Sequence, residues 1–162
     1  MIGQKTQNTC GKELYNDMIS SFDYWQIVWT IKRYNKNISD PEANEMLNAF
    51  LQWVAAIPAI SKGENNVFVM LETPVEEAFH AFVLNTRLYQ KFCERFLGFF
   101  FHHDPLTEET LETTELGAKY TVNLLESLYS EDLHPLLKDW RKQLNNDTYK
   151  VACVGCKAPV NN

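Results

Sequence analysis

Apolar residues recur at helical spacing through most of this chain, and this periodicity limits the fold more than any other feature. The first pattern covers about residues 13–34 and includes Leu14, Met18 and Phe22. Residues three or four apart share one face of an α-helix, so the pattern predicts an amphipathic helix. Four further helices are predicted over about 40–57, 73–97, 107–128 and 135–144. We therefore predict an all-α fold, a single-domain bundle of about five helices.

Helix-start and helix-stop residues accompany these patterns. Ser39-Asp40-Pro41 offers a capping oxygen followed by a proline in the first turn, where the missing N–H costs nothing. Thr73 is followed by Pro74 and, three residues after the threonine, by Glu76, which is the spacing of a capping box. Gly98 is a suitable C-terminal stop, so the third helix is predicted to run unbroken from Thr73 to about residue 97.

Two segments lack helical periodicity. The run Val67–Leu71 is either a short strand or an irregular approach to the third helix, because five residues cannot distinguish the two. From Asn145 onward the apolar pattern lapses, which favours a loosely structured C-terminal tail. We therefore divide the chain into a helical domain, residues 1–145, and a cysteine-containing tail, residues 146–162.

Composition and charge exclude several classes of protein. The 162 residues are 45% hydrophobic and carry a net charge of −6, which argues against a nucleic-acid-binding surface. The most apolar stretch, Phe50–Ile60, is about half the length of a membrane span. No apolar segment near Met1 indicates a secretory signal, and four cysteines are too few for a disulfide framework. A cytoplasmic protein with reduced thiols fits best, although export without a cleaved signal fits equally well.

Histidine and cysteine side chains supply the main chemical lead. Imidazole and thiolate groups are the usual protein ligands of zinc and related metals. Cys153 and Cys156 are separated by two residues, the spacing of half a tetrahedral zinc site. We therefore predict that the chain binds zinc or another divalent transition metal. The candidate ligands are His80, His102, His103, Cys153 and Cys156.

Helix geometry restricts how these candidates combine. An unbroken helix from His80 to Gly98 would be about 27 Å long, and the four residues to His102 return at most about 14 Å. A site that joins His80 to His102 or His103 would therefore need a broken helix or a partner chain, and we disfavour it. Adjacent residues of an extended segment point to opposite faces, so one of His102 and His103 is expected to face a site. Cys93 falls on the apolar stripe of the third helix and is predicted to be buried.

The central part of the sequence also resembles a known family. The residues concerned are Glu76, Phe79-His80, Thr86-x-x-Tyr89, Phe92-Cys93, Gly98 and His102-His103-Asp104-Pro105. This order is similar to that of the bacterial glycine-rich domain-containing protein-like family, although Phe79 replaces a tryptophan. The resemblance implies a helical domain and supplies no activity, because the family has none that could be carried over.

Two functions are compatible with these observations. The first is a small helical metal-binding protein whose catalytic status is open. The second is a helical protein–protein interaction module or secreted effector without metal, whose acidic surface recognises a partner. No phosphate-binding loop, nucleophile elbow or metalloprotease motif occurs in the sequence, and oligomeric state is not predicted.

Overall fold

A computed structural model describes residues 10–61, 67–108 and 114–155. Helices, including two short 3-10 turns, make up 68% of the described residues. Seven α-helices lie in this part of the chain: α1 Lys12–Ser21, α2 Trp25–Tyr34, α3 Asp40–Ala55, α4 Pro74–Leu84, α5 Thr86–Phe96, α6 Thr114–Tyr129 and α7 Pro135–Asn145. Three strands complete it: β1 Val69–Leu71, β2 His103–Pro105 and β3 Val151–Gly155. The predicted all-α bundle of five helices is therefore wrong.

The three strands form one antiparallel sheet in the order β1-β3-β2. In β3, Cys153 pairs with Met70 of β1 and with Pro105 of β2, and Gly155 pairs with His103. The prediction of a loosely structured tail is therefore wrong for residues 151–155, which form the central strand. Gly155 is required there because a Cβ atom would lie 2.8 Å from the carbonyl oxygen of Phe68.

The core is an aromatic cluster between α3, α4 and the sheet. Trp53 of α3 stacks on Phe68 with ring centroids 4.6 Å apart, and Phe50 stacks on Phe79 of α4 at 5.0 Å. The indole N–H of Trp53 donates to the carbonyl oxygen of Val69 at 3.0 Å, which satisfies the only polar atom of that buried ring. The helices and the sheet therefore share one hydrophobic core.

Two predicted helices are each divided in two. The pattern over residues 13–34 forms α1 and α2, which are separated at Phe22–Tyr24. The predicted third helix forms α4 and α5, which are separated at Asn85. The side-chain amide of Asn85 donates to the carbonyl oxygen of Ala81 at 2.8 Å and to the hydroxyl of Thr30 at 2.9 Å. These bonds satisfy a carbonyl group at the end of α4 and connect that end to α2. The break is therefore stabilised by particular side chains.

Helix capping agrees with the sequence prediction at Ser39 and differs from it at Thr73. Ser39 and Glu42 form the full capping box of α3. Thr73 makes no side-chain cap, because its hydroxyl donates to the carbonyl oxygen of Leu71 instead. No helix in the described part of the chain combines the length and the apolar character that crossing a membrane would require.

Candidate metal centre

Three side chains from α4 and β2 meet at the surface of the domain. Nε2 of His80 lies 3.0 Å from Nε2 of His103 and 3.3 Å from Oε1 of Glu76. One potential ligand atom from each of the three residues lies within 4.8 Å of the other two. Among the described residues, these three form the group of three or more histidine, cysteine or acidic side chains that lie close enough together to hold a metal ion.

Local structure explains why these residues meet. Glu76 and His80 are one turn apart on α4, so their side chains share a face of the helix. The break at Asn85 redirects α5, and the chain then returns to place His103 at the start of β2. Phe79 packs edge-on against the His103 ring with centroids 4.4 Å apart, which fixes the orientation of the imidazole.

Burial shifts the titration of two members of the group. The Glu76 side chain is only 15% exposed, whereas that of His80 is 43% exposed. Burial raises the pKa of Glu76, an effect that His80 opposes and that the neighbouring acids Glu77 and Glu72 reinforce. Burial also lowers the pKa of His103, with a further contribution from His80, so this imidazole favours its neutral form. Neutral imidazole is the form that binds metals.

The hydrogen-bonding needs of the three groups conflict in the absence of a cation. A carboxylate oxygen and two imidazole Nε2 atoms are close together, and each is a hydrogen-bond acceptor unless it carries a proton. One Nε2–H of His80 could serve either Glu76 or His103 but cannot serve both well. Nδ1 of His103 is buried and finds no hydrogen-bond partner among the described residues. A positive ion between Oε1 of Glu76 and the two Nε2 atoms would satisfy those three atoms at once, whereas it would not reach Nδ1 of His103.

The spacing and chemistry of the donors suit a divalent transition metal. Two ligands bound to zinc at 2.0–2.1 Å in tetrahedral geometry lie about 3.3 Å apart. The two contacts of 3.0 and 3.3 Å in the group are close to that value. Two histidines and one carboxylate occupy three positions, which leaves at least one position for water or another ligand.

The predicted ligands are distributed unevenly. His80 and His103 are in the group, so the expectation that they lie too far apart is wrong, because it assumed an unbroken helix. His102 is exposed and contacts the ring of Phe100, with centroids 4.8 Å apart. Cys153 is buried in β3 and is not a member of the group. Cys156 lies outside the described residues.

Glu76 is the member that sequence reasoning missed. The paired acids Glu76 and Glu77 are explained equally well as first-turn residues that complement the helix dipole. The signal that could have found it is the spacing Glu76-x-x-x-His80, which places both side chains on one face. Cys93 is fully buried, and burial raises the pKa of its thiol, an effect that its contacts with Phe101 and Tyr89 partly offset.

Comparison with known families assigns residues 15–122 to one family model. The chain belongs to the UCP032817-like family. This family is uncharacterised, and nothing links the chain to glycine-rich domain proteins, so the predicted resemblance is wrong. All three members of the candidate centre lie within the matched segment. No curated protein and no solved structure matches the chain significantly.

Proposed function

We propose that this protein binds a divalent transition metal, with zinc as the best-fitting ion, through Glu76, His80 and His103. The observation that carries the proposal is the convergence of three lone-pair donors, all within 4.8 Å of one another, from two elements of the fold. Such convergence is costly without a cation, because like groups then compete for few protons. The proposed ligand set retains His80 and His103, adds Glu76 and leaves out His102, Cys153 and Cys156.

Partial burial leaves the Glu76 carboxylate in need of a neutralising partner, which a metal ion can supply. Glu76 is mostly covered, so its carboxylate has lost part of its hydration. A buried charge is stable when it is paired or coordinates a metal. His80 keeps 43% of its side chain exposed, which gives an ion a path from solvent. The site is therefore suited to reversible loading of metal with one or more exchangeable ligands.

The decisive experiment measures metal content and affinity in protein purified without a histidine tag. We expect one zinc per chain by elemental analysis, and competition with a chromophoric chelator gives the affinity. Substitution of any ligand by Glu76→Gln, His80→Ala or His103→Ala should weaken zinc binding by about 100-fold or more, since three protein ligands become two. Circular dichroism checks that each variant retains its helical structure.

His102→Ala is the matched control, because it removes an imidazole from the adjacent, exposed position. It should bind zinc with unchanged affinity. Cys153→Ser tests whether the thiolate predicted from sequence is a ligand. Wild-type protein loaded with cobalt should likewise show no thiolate-to-cobalt charge-transfer band. Equal losses in His102→Ala and His103→Ala would contradict this ligand set. If no variant and no wild-type protein binds stoichiometric metal, the metal function is wrong and the interaction-module hypothesis takes its place.

A further inference from the structure

An open groove lies beside the candidate metal centre, between the end of α2 and α4. Its volume is about 350 Å³, which is within the range of small-molecule sites. Ile31 and Tyr34 form one wall, and Ala81 and Leu84 form the other. His80 belongs both to this groove and to the metal centre.

The rim of the groove leaves large apolar side chains in contact with water. Tyr34 is 66% exposed and Leu84 is 59% exposed, and both line the groove. Covering this surface would be favourable, because burial of apolar area contributes roughly 25 cal/mol per Å². The groove therefore fits a ligand whose body is apolar.

The charged groups that line the groove indicate what the polar end of such a ligand must be. Glu77 is half-buried and is the one carboxylate among the lining residues. It has no ion-pair partner in the described part of the chain. Glu76, which precedes Glu77 on α4, adds negative charge beside the groove in the metal-free protein. A cationic head group complements this field, whereas a carboxylate would be repelled.

We propose that the groove binds a small molecule with an apolar body and a primary ammonium group, which pairs with Glu77. The proposal does not require the metal, although the shared His80 places the ligand next to the metal centre. It goes beyond metal binding, because it names a second site and the chemical class of its ligand.

Three probes of equal length test the proposal: phenylbutylamine, phenylbutanol and phenylbutyrate. Titrations followed by nuclear magnetic resonance, with zinc-loaded and metal-free protein, should show the amine binding at least about fivefold more tightly than the alcohol, as expected for one partly desolvated ion pair. The carboxylate should bind most weakly. Equal affinities for amine and alcohol would overturn the proposal, and so would no detectable binding of the amine.

Two pairs of variants locate the ligand. Glu77→Gln should weaken the amine to the level of the alcohol, whereas Glu13→Gln, in the first turn of α1, should have no effect. Leu84→Ser should weaken all bound probes by about threefold or more, since apolar contact is lost. Leu116→Ser removes a leucine of similar exposure, 56% against 59%, from a helix that does not line the groove, and should change nothing.

The metal-binding proposal and the groove proposal can be refuted independently of each other. If the amine binds only the metal-free protein and zinc displaces it, the ammonium occupies the metal centre and the groove proposal is wrong. If zinc does not bind at all, the metal function fails, and the Glu77→Gln comparison in metal-free protein alone decides the groove.

Discussion

The break between α4 and α5 offers the sharpest test of how this fold builds its candidate site. Asn85→Ala removes the side-chain bonds to Ala81 and Thr30, at 2.8 and 2.9 Å, and leaves the backbone free to continue as helix. Each bond contributes about 1 kcal/mol, so the free energy of unfolding should fall by about 2 kcal/mol. The backbone at Asn85 has a φ of −88°, which alanine can adopt, so the loss reports the amide rather than backbone strain.

The same substitution should weaken zinc binding, because the bend brings His80 to His103. The loss cannot exceed about 30-fold, the factor equivalent to the 2 kcal/mol by which the bonds favour the bent form. Urea denaturation followed by circular dichroism gives the stability, and chelator competition gives the affinity. The control is Asn44→Ala, which removes a side-chain bond of the same type, 2.8 Å to the carbonyl of Asp40, from an exposed position on α3. If Asn85→Ala is no less stable than Asn44→Ala and binds zinc normally, the amide does not maintain the break.

Three further predictions concern the pH dependence, a buried thiol and a close contact. Zinc affinity should fall as pH drops below about 6, because protons then compete for the Glu76 carboxylate, whose pKa burial raises, and at still lower pH for His103, whose pKa burial lowers; affinity that is flat from about pH 7.5 to 4.5 would contradict this. Cys93→Ala should cost about 1 kcal/mol of stability and retain zinc, whereas Cys93→Asp should cost on the order of 3 kcal/mol, as measured by denaturation. Gly117→Ala should destabilise by about 1–2 kcal/mol despite better helix propensity, because its Cβ would lie 2.9 Å from Cγ1 of Val69; a rise in melting temperature would show that β1 can yield.

The helical content of the fold could be predicted from sequence because its signals are local. The box of Ser39 and Glu42 and the proline at the start of α7 are read from a few neighbouring residues. The division at Asn85 could not be predicted from periodicity, because the apolar stripe continues through Phe82 and Tyr89 on both sides of the break. What decides the break is a contact with Thr30, which is 55 residues away along the chain.

The sheet was predicted only as one possible strand at Val67–Leu71, and the site only as separate candidate ligands, for the same reason. β1 and β2 are three residues long, too short for a period of two to be detected. β3 is stabilised by partners far away in sequence, Val69–Leu71 and His103–Pro105. His103 could be recognised as a candidate ligand by its chemistry alone, but its partners Glu76 and His80 depend on this tertiary structure.

The sheet order also determines when the candidate centre can be completed during synthesis. β2 carries His103 and, among the described strands, pairs only with β3, which follows every other element of the described chain. Glu76 and His80 can take their places as soon as α4 folds, because both lie on one helix. Domains fold progressively as the chain emerges from the ribosome. A nascent chain therefore holds two of the three proposed ligands until residues 151–155 are made, and capture of metal at this site would report that the described sheet has formed.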